Sequence, residues 1–212
     1  IYTIVFTLIF PSNLENYYIY LMTGIIPWNF FTEALGQGAG CIVCNSDMTK
    51  KIYFPREVLT IASVTAKFVN MLLASVVVFG FLVFSRVGIS WHLVLVPFVM
   101  LAEYLIALGF TLFFSAVTVY LRDMEYIVGV LLQAWIWATP IMYASNGIPM
   151  FVGHVLLLNP MTLVIESYHN LLYYHQLPTA LTWCGMYVFG IIILFIGEVV
   201  FTHLEGNFAE EL

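Results

Sequence analysis

Val58-Leu-Thr-Ile-Ala-Ser-Val-Thr-Ala-Lys-Phe-Val-Asn-Met-Leu-Leu-Ala-Ser-Val-Val-Val-Phe-Gly-Phe-Leu-Val-Phe84 carries one ionisable side chain, Lys67. A helix that crosses a bilayer needs about 20 predominantly apolar residues. Every backbone N–H and C=O in hydrocarbon must be paired within the segment, which a helix achieves and an open strand does not. This stretch therefore predicts a membrane-spanning helix, the third of the chain.

Comparable runs lie on both sides. Tyr17 to Val43 predicts a second span and Trp91 to Val119 a fourth, which opens on an interfacial tryptophan. Tyr126 to Tyr143 predicts a fifth, in which Pro140 removes a helix hydrogen bond and predicts a kink near the outer end. Ala180 to His203 predicts a sixth. Ile1 to Phe10 is apolar but lacks a basic flank and a small-residue cleavage site, so it reads as the end of a first, truncated span rather than as a signal peptide. The expectation is an all-α, polytopic membrane protein in one domain, residues 1–212.

Composition agrees: of 212 residues 62% are hydrophobic and 8% charged, with a mean hydropathy of +0.99. Ordinary soluble domains carry about 25% charged residues. Six basic residues are too few for a stripe that holds a phosphate backbone, which excludes nucleic acid as a partner. Three cysteines do not make a disulfide framework, and Cys41-x-x-Cys44 alone falls short of the roughly four ligands of a closed zinc site.

Lys50, Lys51 and Arg56 fall in one loop and Arg122 in another two spans away, against Arg86 on the other side. The excess of positive charge places the first two loops, and with them the C-terminal tail, in the cytoplasm. Ala144 to Thr179, which has no Lys or Arg, then lies outside. It is too broken to span and too apolar to be a solvated loop. Pro149 would open one short helix, and Asn159-Pro160 pairs an N-cap with proline at the first helical position of another that ends before Pro178. Two short helices dipping into the outer leaflet are expected.

Ionisable residues within spans normally face a partner or a wet cavity. Glu33, Lys67, Glu103 and Glu198 qualify, and Glu33 and Lys67 lie at matching depths in adjacent spans, so they are expected to pair. Glu166 and His169 share a helix face, as an acid and a base or two metal ligands would, but the motif occurs once where di-metal bundles need it twice. Among 18 Phe, 13 Tyr and 5 Trp, those within spans present flat apolar faces suited to the C–H surfaces of sugars. Trp28, Phe30, Phe31, Trp135, Trp137 and Tyr143 are the candidates for such a path. No phosphate-binding Gly-x-x-x-x-Gly-Lys loop occurs, and Gly36-Gln-Gly-Ala-Gly40 reads as helix packing, so any energy for transport comes from another subunit.

Gly24-Ile-Ile-Pro-Trp-Asn-Phe-Phe31, Lys51-Ile-Tyr-Phe-Pro-Arg-Glu-Val-Leu59, Tyr120-Leu-Arg-Asp123, Asn159-Pro-Met-Thr162 and Asn207-Phe-Ala-Glu-Glu-Leu212 stand in that order. In combination they resemble ABC-2 type permease subunits that export lipid-linked polysaccharides, the O-antigen and teichoic acid exporters, over essentially the whole chain. The resemblance implies a homodimer of six-helix subunits in the bacterial cytoplasmic (inner) membrane, each docked on a cytoplasmic ATP-binding subunit, with the polymer passing between the permeases. ATP and magnesium would sit on that partner, and this chain would hold no cofactor, metal or catalytic residue. Lys50, Lys51, Phe54, Pro55, Arg56 and Glu57 would transmit ATPase motion, with Arg122 and Asp123 in a second cytoplasmic loop. Pro149, Asn159, Pro160, Glu166 and His169 would belong to outer gate helices. The family's N-terminal interfacial helix and the start of its first span have no counterpart here. The alternatives are an ABC-2 permease for a drug or a lipid, an intramembrane glycan-modifying transferase using Glu166 and His169, and a structural membrane subunit without a transport path.

Overall fold

The computed structural model describes residues 16–46, 55–84, 88, 90–143, 156 and 158–208. Among them the chain is helical, with no strand. The α-helices are α1 (Tyr17–Ala39), the short α2 (Cys41–Cys44), α3 (Glu57–Phe84), α4 (Val96–Tyr120), α5 (Met124–Trp135), α6 (Pro160–Leu172) and α7 (Ala180–Glu205). A 3-10 turn, Trp91–Leu95, leads into α4, and another, Ile136–Ala138, follows α5.

Among the described residues three helices are long and apolar enough to cross a membrane: α3, α4 with its 3-10 turn, and α7. At a rise of about 1.5 Å per residue each exceeds the roughly 30 Å of a bilayer's hydrocarbon core. The fifth predicted span is shorter than expected. Helix ends at Ala138, where Thr139 turns to φ −125° and ψ 131°, so Pro140 stands beyond the helix instead of kinking it. The cause is local: the proline ring disfavours the helical region for the residue before it. The first half-span, Lys50, Lys51, Phe54 and the Pro149 helix lie outside the described residues.

Helix α4 is the hub, touching every other α-helix of the described residues, and its most extensive contact is with α7. That contact is backbone on backbone. A side-chain carbon placed on Gly109 would lie 2.6 Å from the carbonyl carbon of Ile193, and one on Gly197 would run into the carbonyl oxygen of Gly109. In lipid, helices gain little from the hydrophobic effect and associate through close packing of small residues. Gly38 of α1 makes room for the Thr111 side chain of α4, whereas Gly36, two residues earlier, faces open space.

At the far end, opposite Arg56, polar contacts hold α6. Asn159 caps it: its side-chain oxygen accepts from the Met161 N–H at 3.0 Å, and its amide donates to the Ala138 carbonyl and the Thr139 hydroxyl, both at 3.0 Å. One asparagine thus starts α6 and ties it to the break after α5. In the interior Tyr168 donates to a carboxylate oxygen of Glu103 at 2.7 Å, and both side chains are buried. The other Glu103 oxygen has no hydrogen-bond partner among the described residues.

Replacing Gly109 or Gly197 with valine is expected to destabilise the bundle by about 3 kcal/mol or more, the upper end of overpacking costs. Gly36→Ala, which meets nothing, is expected to be neutral. Thermal unfolding of the purified variants in mild detergent checks both.

Candidate functional site

The decisive feature of α1 is the sidedness of its polar residues. Trp28, Phe30, Phe31, Ala34 and Leu35 are buried, while Asn29, Glu33 and Gln37 are exposed, with Thr32 and Gly36 partly open beside them. Residues three and four apart share a helix face, so these five make one polar stripe. Lipid would leave such a face unsatisfied, so in a bilayer it would need water, a polar cargo or another protein surface against it. The interruption also keeps α1 out of the set of continuously apolar helices.

Opposite one edge of the stripe, at Thr32 and Gly36, stands α5. Trp28, Thr32 and Gly36 of α1 face Gly129, Leu132 and Gln133 of α5 across a groove of about 560 Å³ that Ile136, Trp137 and Met142 line towards the far end. Gly36 and Gly129 leave its floor open, since a side-chain carbon on either would touch nothing within 4 Å. Gln133 is a functional candidate that the sequence reading missed. The available signal was a carboxamide in an otherwise apolar helix, where polar groups mark wet faces.

The expectation of an aromatic path needs correction. Phe31 is fully buried, edge-on to Phe110 and Trp135, and Phe30 packs against Phe68 of α3. Both hold the bundle together. Large rings fill the protein interior because they bury the most apolar area there, and the small polar residues of the same helix occupy its open face. Trp28 and the exposed Trp137 do border the groove, whereas Tyr143 lies past it, its hydroxyl donating to the Trp137 carbonyl at 3.0 Å.

On the same side of α1, Lys67 Nζ of α3 lies 3.5 Å from a carboxylate oxygen of Glu33, with the side chains 18% and 52% exposed. The lysine is sheltered beside Phe68 while the glutamate reaches outward. Close by, Phe68 meets the Tyr104 ring edge-on, and the Tyr104 hydroxyl is 2.9 Å from that of Thr65.

At the N-terminal end of α3, Arg56 donates to the carbonyl of Glu205 at the end of α7 and lies over the Phe208 ring, 5.7 Å from its centre. A cation at a helix C-terminus is favourably placed against the helix dipole. Phe208 is fully buried, edge-on to Phe201, and Tyr120 donates to the Leu204 carbonyl at 2.9 Å. The Pro-Arg-Glu and Asn-Phe segments, far apart in sequence, thus meet at one end of the bundle. Pro55, Arg122 and Asp123 are exposed there and Glu57 is half-buried. Cys41 is buried beside Thr60, while Cys44 and Cys184 are exposed and unpaired. No group of three metal-ligating side chains exists among the described residues.

Glu166 and His169 border a second space, a cup of about 290 Å³ at the far end, with Tyr20, Pro140, Asn170, Tyr174 and Gln176. His169 is buried, stacks on Tyr20 with centroids 3.8 Å apart, and donates from Nε2 to the Tyr20 carbonyl at 3.1 Å. It is a wall of the cup, and burial holds its imidazole neutral, well below the usual histidine range. His175 adopts a left-handed φ of 54°, and the chain turns back so that the Gln176 N–H donates to the Asn170 carbonyl at 2.8 Å.

The family model for the ABC-2 type transporter matches residues 1–173. The chain is also similar, at 29% identity over 214 residues, to the O-antigen export system permease protein RfbA of Myxococcus xanthus, and at 28% over 219 residues to the protein of the same description from Klebsiella pneumoniae. Each alignment covers all of this chain and 82% of the relative. The chain belongs to the ABC-2 type transporter family, as a membrane permease subunit of a transporter with an ATP-binding partner.

Proposed function

We propose that this permease exports a lipid-linked polysaccharide, as the names of its relatives suggest, and that the α1–α5 groove is half of the path. The polar stripe Asn29, Thr32, Glu33, Gly36 and Gln37 carries the reading, because a membrane helix keeps such a face open only towards water or a polar cargo. Two copies facing each other across these grooves would enclose a conduit lined by the Gln133 carboxamide, the Thr32 hydroxyl and the edges of Trp28 and Trp137. Sugars hydrogen-bond to the first two groups and lay their C–H faces on the rings. A drug or lipid cargo would match an apolar lining, which this groove lacks at Thr32 and Gln133.

In this arrangement α1, α3, α4 and α7 span the inner membrane, α5 with its 3-10 turn reaches part of the way across, and α6 is a helix of the outer leaflet. The end holding Arg56 and the C-terminus is cytoplasmic. ATP is hydrolysed on the partner subunit, and its motion enters through the segment ending at Pro55-Arg56-Glu57. Arg56 is bonded to the end of α7, so a push there moves α3 and α7 together, and the α4–α7 contact carries it into the hub. The ligand-dependent step is a shift between two arrangements of the bundle, driven by the partner's nucleotide state.

Three outcomes are expected. Co-expression with the neighbouring ATP-binding subunit should yield a stable two-plus-two complex in mild detergent, and Arg56→Ala should lower the ATPase response to lipid-linked glycan several-fold while leaving the complex assembled. Failure to bind the ATPase when the permease is folded would sink the export reading. Reversing either charge alone, Glu33→Lys or Lys67→Glu, should reduce cell-surface glycan, and the double exchange should restore most of it.

A further inference from the structure

The groove between α1 and α5 is bounded at its two ends by contacts of different kinds. At the far end α1 is bonded to the segment that follows α5. The Tyr17 and Tyr20 hydroxyls donate to the Met142 and Tyr143 carbonyls at 2.8 and 3.0 Å, and both tyrosines are buried. At the other end a side chain meets a glycine. A side-chain carbon placed on Gly40 would lie 2.7 Å from a carboxylate oxygen of Glu125 and 3.0 Å from its carboxyl carbon. The Glu125 carboxylate therefore lies across the bare backbone of Gly40, the residue that caps the C-terminal end of α1.

The register makes this contact the next rung of the groove. Thr32 and Gly36 line the groove from α1, and Gln133 and Gly129 line it from α5. Residues four apart share a helix face. Four beyond Gly36 stands Gly40, and four before Gly129 stands Glu125. The two helices run antiparallel, so the stripe that leaves open space at Gly36 and Gly129 meets the carboxylate one turn nearer the Arg56 end. The helix dipole favours an acid in the first turn of α5, which accounts for the residue type but not for its reach to the neighbouring helix.

At that end α5 is the part of the bundle that moves most cheaply. Among the described residues it buries only Val128 and Leu132, and few buried contacts mean a low cost of local displacement. Its far end is fixed by the tyrosine bonds and by Asn159, whose amide donates to the Ala138 carbonyl and the Thr139 hydroxyl. Its near end follows directly on the exposed turn Leu121-Arg122-Asp123. Hinges form where a few residues at the end of an element absorb a backbone change, and the break at Thr139 supplies one. Rotation about that point moves the first turn of α5 furthest.

We propose that Glu125 gates the cytoplasmic entrance of the groove. Laid across Gly40, it closes the entrance to polar cargo, and it withdraws when the ATP-binding partner displaces the Leu121-Arg122-Asp123 turn and α5 pivots about its far end. This rests on the reading of the groove as the path. Because Glu125 meets backbone that carries no side chain, closure depends on its reach rather than on its charge.

The test uses the permease with its ATP-binding partner in inside-out membrane vesicles, with Cys41, Cys44 and Cys184 replaced. Gly36→Cys is the reporter, at a position with room for a side chain, and the probe is a membrane-impermeant maleimide added at the cytoplasmic face. Labelling should be slow without nucleotide and several-fold faster with ATP bound and its hydrolysis blocked. Adding Glu125→Ala should make labelling without nucleotide as fast as with it, whereas Glu125→Gln, which keeps the reach, should label as slowly as the reporter alone. Gly40→Ala should act as Glu125→Ala does, and the two together should do no more than either alone, the non-additivity expected of residues in contact.

A second readout stands even where Gly40→Ala fails to assemble. The pair Gly40→Cys and Glu125→Cys, without the reporter, should be joined by a short, reducible thiol cross-linker in the nucleotide-free state. The joined complex should lose glycan export, and reductant should restore it. Equal labelling of the reporter with Glu125 and with Glu125→Ala overturns the proposal, as does fast labelling in Glu125→Gln, or a cross-link that leaves export intact. If Gly36→Cys is labelled at rates indifferent to Glu125, the gate falls and the path reading stands. If it is labelled from neither face in any nucleotide state, the path reading falls and the gate with it.

Discussion

Backbone contact between Gly109 and Gly197 is the constraint on which the rest of the bundle depends. Water drives no helix association inside a bilayer, so a stable crossing needs atoms brought close over a length of helix. These two glycines let α4 and α7 approach until carbonyl meets Cα. With α7 fixed, α4 becomes a rigid post against which α1, α3 and α6 are arranged. Gly38 against Thr111 seats α1 on it, Phe30 against Phe68 joins α1 to α3, and the Tyr168–Glu103 hydrogen bond anchors α6. The buried carboxyl is an expensive anchor in a membrane domain, and its single donor comes from the helix it holds.

That packing explains why α1 looks outward with its polar side. Its rings are used against α3, α4 and Trp135, and the residues left over are an asparagine, a threonine, a glutamate, a glycine and a glutamine. The break before Pro140 opens the far end of the same groove, because α5 stops short and Asn159 holds the turn to the start of α6. Groove, cup and the Arg56 contact with α7 therefore lie along one protomer, from the basic end to the far end, each joined to the next by packed helices. A permease has no bond to break, so its chemistry consists of which groups it leaves open to a polar chain and how a push at one end reaches the other.

Much of this was legible in the residues. Long apolar runs marked α3, α4 together with its leading 3-10 turn, and α7 within a residue or two, and the Asn159-Pro160 pair marked the start of α6, since a cap and a proline act locally. Matching depth brought Glu33 and Lys67 together in the reading, and the structure places them 3.5 Å apart. The end of α5 was misplaced because hydropathy continues through Ile141 and Met142 while the backbone has already left the helix at Thr139. The aromatic path was misjudged for Phe30 and Phe31 because composition does not reveal which side of a helix is covered. That depends on contacts with Phe68, Phe110 and Trp135, far away in sequence. The cup was hidden for a related reason: Glu166 and His169 were visible as a pair, but Tyr20, Pro140 and Gln176 join them only through the fold.

The central claim is that one face of α1 borders a hydrated path. Its most direct test is cysteine accessibility in native membranes, in a variant whose Cys41, Cys44 and Cys184 are replaced. Single cysteines at Asn29, Thr32, Gly36 and Gln133 should react with a membrane-impermeant maleimide, and the reaction should slow when lipid-linked glycan is present and ATP hydrolysis is blocked. Cysteines at Leu73 and Val76, on the exposed apolar face of α3, should stay unlabelled under the same conditions. Equal labelling of both sets, or none at the α1 and α5 positions with or without glycan, would contradict the account.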